Sequence, residues 1–422
     1  MNKKLFAILL LIELIFLTAL ISRNGPVALM SIPFLVFVGT ALLTVPRSIQ
    51  IKAGRELSTL RTGENTPITM TLSIENAGKM IPRIQVIEEL NPKMHLIEGS
   101  INPQFLIQAK ERIRVGYTVT ASRGSYEWQT VRLAVSDPFG LFEKLIEINA
   151  PGQVHVLPQQ VELRQYSYHP LPNIRAAGPN LSRLPGSGID FWGVREYHPG
   201  DSLRSIHWRM AARHPQKFYT KEYEREEISD IGLLLDARVL SNQTTAGLDL
   251  FEHSIQAAAS LARYFLSLGN RVSMLILNDH LVRVFPGYGK HQLVRILDEL
   301  SNCDLGERVG FDTLKYLPVK LFPNRALISV ISPVLPNDYS FIARLKAEGY
   351  QLLLVTPDGQ TENSEKNSKD PYEAYARRMK RLERAVLLRQ IQRIHVPIVA
   401  WDVSKPQDMA KQFAGILKMR IP

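Results

Sequence analysis

Two apolar segments at the N-terminus constrain this chain most, because each is about as long as a bilayer is thick. The first runs from Leu5 to Ser22 and the second from Pro26 to Val45, with three residues between them. The first segment contains one carboxylate, Glu13, together with thirteen Leu, Ile, Phe or Val residues. At about −0.3 to −0.6 kcal/mol each, these side chains outweigh the roughly +3 kcal/mol that one carboxylate costs. The pattern predicts a transmembrane hairpin within residues 1–47.

Cations lie at both ends of this hairpin and almost none lie in its turn. Lys3 and Lys4 precede the first span, Arg47, Lys52 and Arg55 follow the second, and Arg23 alone lies between them. The positive-inside rule therefore predicts a two-pass membrane protein whose termini and soluble region are cytoplasmic. A cleaved signal peptide is the alternative, but a second apolar span follows at once and no A-x-A-like site precedes it. Glu13 is interpreted as a protonated or helix-paired group in the hairpin interface rather than as a functional carboxylate.

Charge and cysteine content set the remaining bounds on the chain of 422 residues. Lys and Arg number 51 against 40 Asp and Glu, which gives a net charge of +11 and favours lipid headgroups, nucleic acid or an acidic protein as partner. A single cysteine, Cys303, excludes an intramolecular disulfide and agrees with a reducing cytoplasm.

Two sequence patterns, each typical of a different kind of secondary structure, follow the hairpin. Residues 51–158 alternate apolar and polar side chains, as in Ile68 to Ile74, which predicts an antiparallel β-sandwich. From Ile231 onward, continuous apolar runs alternate with helical periodicity, which predicts a doubly wound α/β domain over residues 231–422. Its predicted strands are 231–236, 272–277, 326–331, 351–355 and 397–401; its predicted helices are 251–268, 291–300, 339–347, 372–395 and 407–419. Residues 359–370 have no apolar side chain and predict a loop.

The bridging segment, residues 159–230, contains a dense run of Arg, His and aromatic residues. It resembles the signature of the domain of unknown function 58 family of bacteria and archaea. The matching residues are Gly188, Asp190, Phe191, Arg195, Glu196, Tyr197, Pro199, Gly200, Asp201, Arg204, Ile206, His207, Trp208, Ala212 and Arg213. The pair Arg123-Gly124 and the run from Asp137 to Phe142 (DPFGLF) are similar to the same family.

The resemblance implies a membrane hairpin, a β domain and a von Willebrand factor A-like α/β domain, in proteins encoded beside MoxR-type AAA+ ATPases. Such a domain usually binds a divalent cation through Asp-x-Ser-x-Ser after its first strand and through later Thr and Asp residues. Here Asp236 is present, but Arg238 and Leu240 replace the two Ser, and Ser332 stands where the later Asp belongs. The resemblance therefore implies a degenerate site without metal, in which Arg238 pairs with Asp236 in place of the cation. Asp312-Thr313 is interpreted as a surface turn.

Three interpretations compete for the bridging segment. The favoured one is a packed, partly buried junction in which Arg195, Asp201, Arg204 and Trp208 are hydrogen-bonded and acidic neighbours complete a salt-bridge network. A metal or acid–base cluster of Asp190, His198, Asp201 and His207 is the second, although it lacks a metal-ligand spacing. The third is nucleic-acid binding by Arg195, Arg204, Arg209 and Arg213 interleaved with Phe191, Trp192, Tyr197 and Trp208.

These observations favour a membrane-tethered, non-enzymatic adaptor or scaffold without cofactor, whose A-like domain engages a protein partner. The resemblance implies a MoxR-type AAA+ ATPase as that partner. An envelope-associated hydrolase using the Asp190, His198, Asp201 and His207 group is the main alternative. Seven cations on the predicted helix 372–395 are compatible with contact to anionic lipid and equally with a solvated outer helix.

Overall fold

An apolar hairpin opens the computed structural model, which describes residues 3–46, 48–163, 180–213, 216–227, 229–242, 249–307, 311, 317–359 and 371–403. Helix α1 is Lys3–Ser22, and the chain returns through α2, Gly25–Leu29, and α3, Ile32–Thr44. The segments Lys4–Ser22 and Gly25–Thr44 are long and apolar enough to span a membrane. This agrees with the predicted pair of apolar helices, and the side of the membrane stays a prediction.

The chain divides into two compact units, Met1–Leu157 and Pro158–Pro422. In the first, the hairpin is followed by two β-sheets. One sheet has the order β1-β3-β7-β5 and the other has the order β2-β9-β8-β4-β6. The strands are β1 Ile51–Leu57, β2 Arg61–Gly63, β3 Ile68–Asn76, β4 Ile81–Ile87, β5 Met94–Gly99, β6 Gln104–Ile107, β7 Arg112–Ala121, β8 Gly124–Ser136 and β9 Glu143–Leu157.

The two sheets pack together through more than one apolar cluster. In one of them, β3 contributes Leu72 and Ile74, and β8 contributes Val131, Leu133 and Val135. Strand β3 alternates buried and less buried side chains along its length, as a strand with one face in a core must. The expectation of a wholly antiparallel sandwich is wrong at one edge, where β2 pairs with β9 in parallel. Strand β2 has three residues, too few to show a periodicity that sequence reasoning can detect.

The second unit contains a six-stranded sheet in the order β14-β13-β12-β15-β16-β17. Its strands are β12 Asp230–Asp236, β13 Arg271–Leu277, β14 Leu281–Gly287, β15 Leu327–Ile331, β16 Gln351–Asp358 and β17 Ile398–Asp402. All neighbouring pairs are parallel except β13 with β14. Counted from β12 as the first strand, the order is 3-2-1-4-5-6. The chain therefore reverses its direction of winding between β12 and β15, which makes the carboxyl ends of these strands the topological switch point.

Helices connect the parallel strands: α5 Leu250–Ser267, α6 Gly289–Ser301, α7 Tyr339–Ala347 and α8 Pro371–Arg393. Central strand β12 is buried along its whole length, which explains its continuous apolar run. Gly232 has a packing reason, because a Cβ at this position would lie 2.3 Å from the ring of Phe322.

The segment before β12 forms a second, two-stranded sheet. Strand β10, Asn180–Glu196, pairs antiparallel with β11, Tyr219–Glu227. A short 3-10 helix, Leu203–Ser205, and helix α4, Trp208–Ala211, lie between them. This hairpin and strand β14 were absent from the predicted elements, whereas the predicted strands and helices of the α/β region agree with the structure to within a few residues wherever it describes them. The predicted helix 407–419, the loop residues 360–370 and the pair Asp312-Thr313 lie outside the described residues.

Candidate functional site

A buried cluster of charged side chains occupies the switch point of the large sheet. Asp236 ends β12, and Arg238 follows two residues later with 1% of its side chain exposed. The Arg238 Nε and Nη2 atoms each donate to a different Asp236 oxygen at 2.8 Å. On its other side, Arg238 donates from Nη1 and Nη2 to the two oxygens of Asp338, at 3.1 and 2.8 Å. One guanidinium therefore joins two buried carboxylates in bidentate geometry.

Further donors complete this cluster. The Ser332 hydroxyl, just after β15, donates to Asp236 at 2.6 Å, and the amide of Leu335 donates to Asp338 at 2.8 Å. The ring of Phe311 lies 4.2 Å from the Arg238 guanidinium carbon and stacks on Phe341. An aromatic face over a guanidinium adds a favourable cation–π contact.

The pKa shifts reflect burial opposed by pairing. Burial raises the pKa of Asp338, although its hydrogen bonds with Arg238 oppose that rise. Burial alone would lower the pKa of Arg238, but the hydrogen bonds to Asp236 and Asp338 raise it above its ordinary value. The guanidinium therefore stays charged at every physiological pH.

The predicted degenerate metal positions can now be placed. Asp236, Arg238 and Ser332 meet in this cluster, whereas the side chain of Leu240 is exposed outside it. Asp338, which sequence reasoning missed, supplies the second carboxylate. Within the described residues, no group of three His, Cys, Asp or Glu side chains is arranged to hold a metal ion. A divalent cation does not fit between Asp236 and Asp338, because the Arg238 side chain already occupies that position.

A groove of about 230 Å³ adjoins the loops that carry the cluster. Its lining includes the apolar residues Leu240, Leu250, Val334 and Leu387 and the charged residues Asp358, Lys380, Glu383 and Arg384. Arg384 donates to the Thr356 hydroxyl and to the Pro357 carbonyl, both at 2.7 Å. Burial lowers the pKa of Arg384, with the nearby Asp358 carboxylate acting in the opposite direction.

The signature segment is organised by a second ion-pair network. Arg195, at the end of β10, forms a bidentate pair with Asp201 at 2.7 Å for both bonds and donates to Glu222 of β11 at 2.8 Å. Asp201 also accepts from the backbone amide of His198 at 2.9 Å. Gly200 has a φ of +110°, a value that favours glycine and lets the Pro-Gly-Asp turn bring Asp201 back to Arg195.

The side chain of Asp201 therefore pairs with Arg195 and with the backbone amide of His198. The hydrogen bond with Arg195 is the largest cause that lowers the pKa of Asp201, to about 2, and the bond from the His198 amide acts in the same direction. The network joins the Pro-Gly-Asp turn to strands β10 and β11.

The predicted burial of this segment is wrong for two of its residues. Trp208 is 63% exposed and Arg204 is exposed as well. Leu203 and Phe218 are 69% and 54% exposed. Backbone hydrogen bonds hold the segments that carry these residues next to each other. The Tyr197 amide donates to the Phe218 carbonyl at 2.9 Å, and the His207 amide donates to the Tyr219 carbonyl at 2.7 Å. We call Leu203, Arg204, Trp208, Arg209 and Phe218 the signature surface.

In the structure, Asp201 and His207 of the proposed acid–base cluster are engaged in other hydrogen bonds. Both oxygens of Asp201 are bonded to Arg195. The Nδ1 atom of His207 accepts from the amide of Met210 at 3.2 Å and caps helix α4. The side chains of Asp190 and Trp192 lie outside the described part of the structure, as do the surroundings of Gly188. Pro199, Glu196 and Arg213 lie at the exposed rim, where Glu196 pairs with Lys217 at 2.6 Å.

The chain has the layout of a multi-domain protein. It consists of an apolar N-terminal hairpin, two β-sheets, the signature turn and an α/β sheet. The model of the family "Protein of unknown function DUF58" matches residues 193–364. Residues 193–364 therefore match a DUF58 family domain, as the signature residues predicted.

Relatives and one solved structure illustrate how far the similarity extends. The uncharacterized protein YeaD of Bacillus subtilis is 23% identical over 293 residues, which cover 66% of this chain and 69% of YeaD. The uncharacterized protein Mb1516 of Mycobacterium bovis is 27% identical over 33% of this chain, and the match spans 46% of that protein. A CARDB domain from Pyrococcus furiosus aligns with 27% of this chain and 97% of its own, at 15% identity and a TM-score of 0.18. A TM-score of this size establishes no shared overall fold.

Proposed function

We propose that this protein is a membrane-tethered adaptor that engages a protein partner through the signature surface. The observation that carries the proposal is the exposure of Leu203, Trp208 and Phe218 near the start of the matched family domain. Clustered exposed apolar side chains on a soluble unit are typical of interaction sites. Trp and Arg are also the residues that most often dominate binding energy at protein interfaces.

The charge of the surface indicates the chemistry of the partner. Arg204 and Arg209 are exposed beside the apolar side chains, and the chain carries a net charge of +11. An acidic protein surface with an apolar centre complements such a patch. By family resemblance, the proposed partner is a MoxR-type AAA+ ATPase, and the hairpin would hold the adaptor on the cytoplasmic face of the membrane.

The α/β unit supports the proposal in a second way. Its strand order of 3-2-1-4-5-6, its antiparallel third strand and the aspartate after its first strand are the basis on which we propose a von Willebrand factor A-like domain. The cation position of such a domain is here occupied by Arg238. Binding by this domain would therefore depend on side chains of the surface and not on a coordinated metal.

Site-specific crosslinking tests the proposal in the full-length protein. A photo-crosslinking residue at Trp208 should capture the ATPase in native membranes, as identified by mass spectrometry of the adduct. The matched control is Phe285, an exposed aromatic residue on β14 of the same unit, which should give no such adduct. Equal adducts at both positions, or an adduct without the ATPase at position 208, would contradict the proposal.

The same exposed Arg and Trp residues make single-stranded nucleic acid a second candidate ligand, since bases stack on aromatic side chains in cationic surfaces. Binding of a labelled oligonucleotide that weakens steeply with salt and is lost in Trp208→Ala would favour it over the protein partner. Retention of binding in that variant would exclude the signature surface as a nucleic-acid site.

A further inference from the structure

The turn between β8 and β9 packs against the apolar hairpin within the first unit. Leu141 of this turn is buried in one cluster with Leu5 of α1 and Ala41 of α3. The Phe139 ring lies 4.6 Å from the Phe37 ring, between centroids. Phe139 nevertheless remains 42% exposed. We infer that this turn, residues 137–142, is embedded in the lipid at the membrane surface beside the hairpin, with Phe139 as its lipid-facing side chain.

The depth of the contact follows from helix geometry. Phe37 lies seven residues before Thr44, the last residue of α3, which is about 10 Å along the axis at ~1.5 Å per residue. The span Gly25–Thr44 has 20 residues and is about 30 Å long, the thickness of the hydrocarbon core. A ring in contact with Phe37 therefore lies deeper in the membrane than the end of α3. Aromatic side chains are favoured near this membrane interface.

The backbone of the turn meets the requirement that lipid imposes on an irregular segment. Amide groups in an apolar medium need internal hydrogen-bond partners. The buried carboxylate of Asp137 accepts from the amides of Phe139 at 2.8 Å and Phe142 at 2.6 Å. The amide of Gly140 donates to the Asp137 carbonyl at 3.1 Å. Asp137 thus accepts hydrogen bonds from three backbone amides of residues 138–142. Pro138 in this segment has no amide hydrogen and needs no acceptor.

Gly140 and Arg83 explain the rest of the turn's sequence. Gly140 has a φ of +67°, and a Cβ there would lie 2.7 Å from Nη1 of Arg83. The Arg83 guanidinium therefore lies directly behind the turn, where a long cationic side chain can reach the headgroups.

The charge of this end of the sandwich identifies anionic lipid as the partner. Strand register places the loops around Lys79, Lys110 and Lys144 at the same end as the turn, since Ile81 pairs with Ile107 and Arg83 pairs with Ser136. These lysines are exposed, and the carboxylates at this end include Glu75, which pairs with Arg112, and Glu111 and Glu143. Exposed cations near an anionic leaflet are attracted to its headgroups. An acidic protein would match the lysines but not the continuity of Phe139 with the lipid-facing hairpin.

Spin labelling of the full-length protein in vesicles tests the inference, which rests on the membrane tether of the proposed function. Because Cys303 is the single cysteine, Cys303→Ala gives a background for nitroxide labels at Phe139→Cys, Leu60→Cys and Leu35→Cys. Leu60 is 69% exposed at the opposite end of the sandwich, and Leu35 is exposed on α3. The vesicles contain phosphatidylglycerol and phosphatidylethanolamine, and collision with oxygen is compared with collision with a water-soluble nickel complex.

The label at position 139 should collide several-fold more with oxygen relative to nickel than the label at position 60, and should approach the ratio at position 35. If positions 139 and 60 give the same ratio while position 35 is protected from nickel, the tether stands and the embedded turn is overturned. If position 35 is as accessible to nickel as position 60, the tether itself fails, and the inference fails with it.

Discussion

Removal of the Arg238 guanidinium should destabilise the α/β unit more than loss of any exposed ion pair. In Arg238→Ala, the buried carboxylates of Asp236 and Asp338 lose four hydrogen bonds and their shared counter-charge. Opposite charges about 4 Å apart attract each other by roughly 4 kcal/mol at an effective dielectric constant of about 20. The cost of desolvating the guanidinium offsets part of the attraction in the Arg238–Asp236 and Arg238–Asp338 pairs. The expected net loss is about 3 to 5 kcal/mol, as for other buried pairs deprived of one partner.

Thermal unfolding of the full-length protein in detergent measures this loss. For a unit of this size, each kcal/mol shifts the melting temperature by roughly 2 to 4 °C, so Arg238→Ala should melt about 6 to 20 °C lower. The buried Trp401 of β17 reports unfolding of the same sheet. The matched control is Arg263→Ala, because Arg263 pairs with Glu162 at 4.0 Å and both are half-exposed; such pairs contribute about 0 to 1 kcal/mol.

The pH dependence has a definite sign. Without Arg238, the pKa of Asp338 should rise further, because burial already raises it and the opposing guanidinium is gone. A carboxyl group with a raised folded-state pKa contributes stability below its unfolded pKa and loses it as pH rises through the folded value. The deficit of Arg238→Ala should therefore be larger at pH 8 than at pH 5.

A charge-free replacement separates the loss of charge pairing from the loss of packing. The triple variant Asp236→Asn, Arg238→Met, Asp338→Asn keeps the volume of the cluster and removes its charges, so it should recover most of the lost stability. If Arg238→Ala melts within error of Arg263→Ala, the guanidinium is not the counter-charge of this cluster and the reasoning is refuted.

Three further predictions follow from the other features. The melting temperature of the wild-type protein should be indifferent to millimolar Mg²⁺ and to chelator; a cation bound at 100 times its dissociation constant would add about 2.7 kcal/mol, so a clear Mg²⁺-dependent rise would restore the metal site. The pKa of Asp201, about 2, should return toward its ordinary value in Arg195→Gln, as followed by carboxyl carbon NMR. The depressed pKa stabilises the turn at pH values above the ordinary pKa of the carboxyl group, and this stabilisation is lost as the pH falls through about 2. An unchanged titration midpoint in Arg195→Gln would show that Arg195 does not cause the depressed pKa. A tag after Pro422 should resist external protease in intact cells and be digested only after lysis, as the cation asymmetry of the hairpin predicts.

The α/β fold was largely predictable because each core strand reads as a continuous apolar run and each helix as a separate periodicity. Ile231 to Asp236 is such a run, and the structure buries every residue of it. Strand β14 escaped prediction because Leu281–Gly287 has one buried side chain and contains Pro286. An edge strand of this kind lacks both the length and the alternation on which sequence reasoning depends.

The site was predictable where its residues are close in sequence or directly follow a predicted strand. The pairing of Arg238 with Asp236 follows from a spacing of two residues, and Ser332 follows from its place after a predicted strand. Asp338 lies 100 residues from Arg238 and reaches it through a loop whose path no periodicity reveals. The exposure of Trp208 was also beyond sequence, because Arg and aromatic residues suit both a packed junction and an interaction surface.

The Arg238 cluster also bears on regulation. A metal ion in a binding domain exchanges with solvent, so its occupancy follows the concentration of the free ion and can switch the domain between two states. A guanidinium joined to the chain has no dissociation constant, and its charge does not titrate at physiological pH. The α/β unit therefore holds a cation at its switch point as long as it is folded, whatever the supply of divalent ions in the cell. Any switching of the proposed partner binding must then come from outside this position, through the partner or through the membrane.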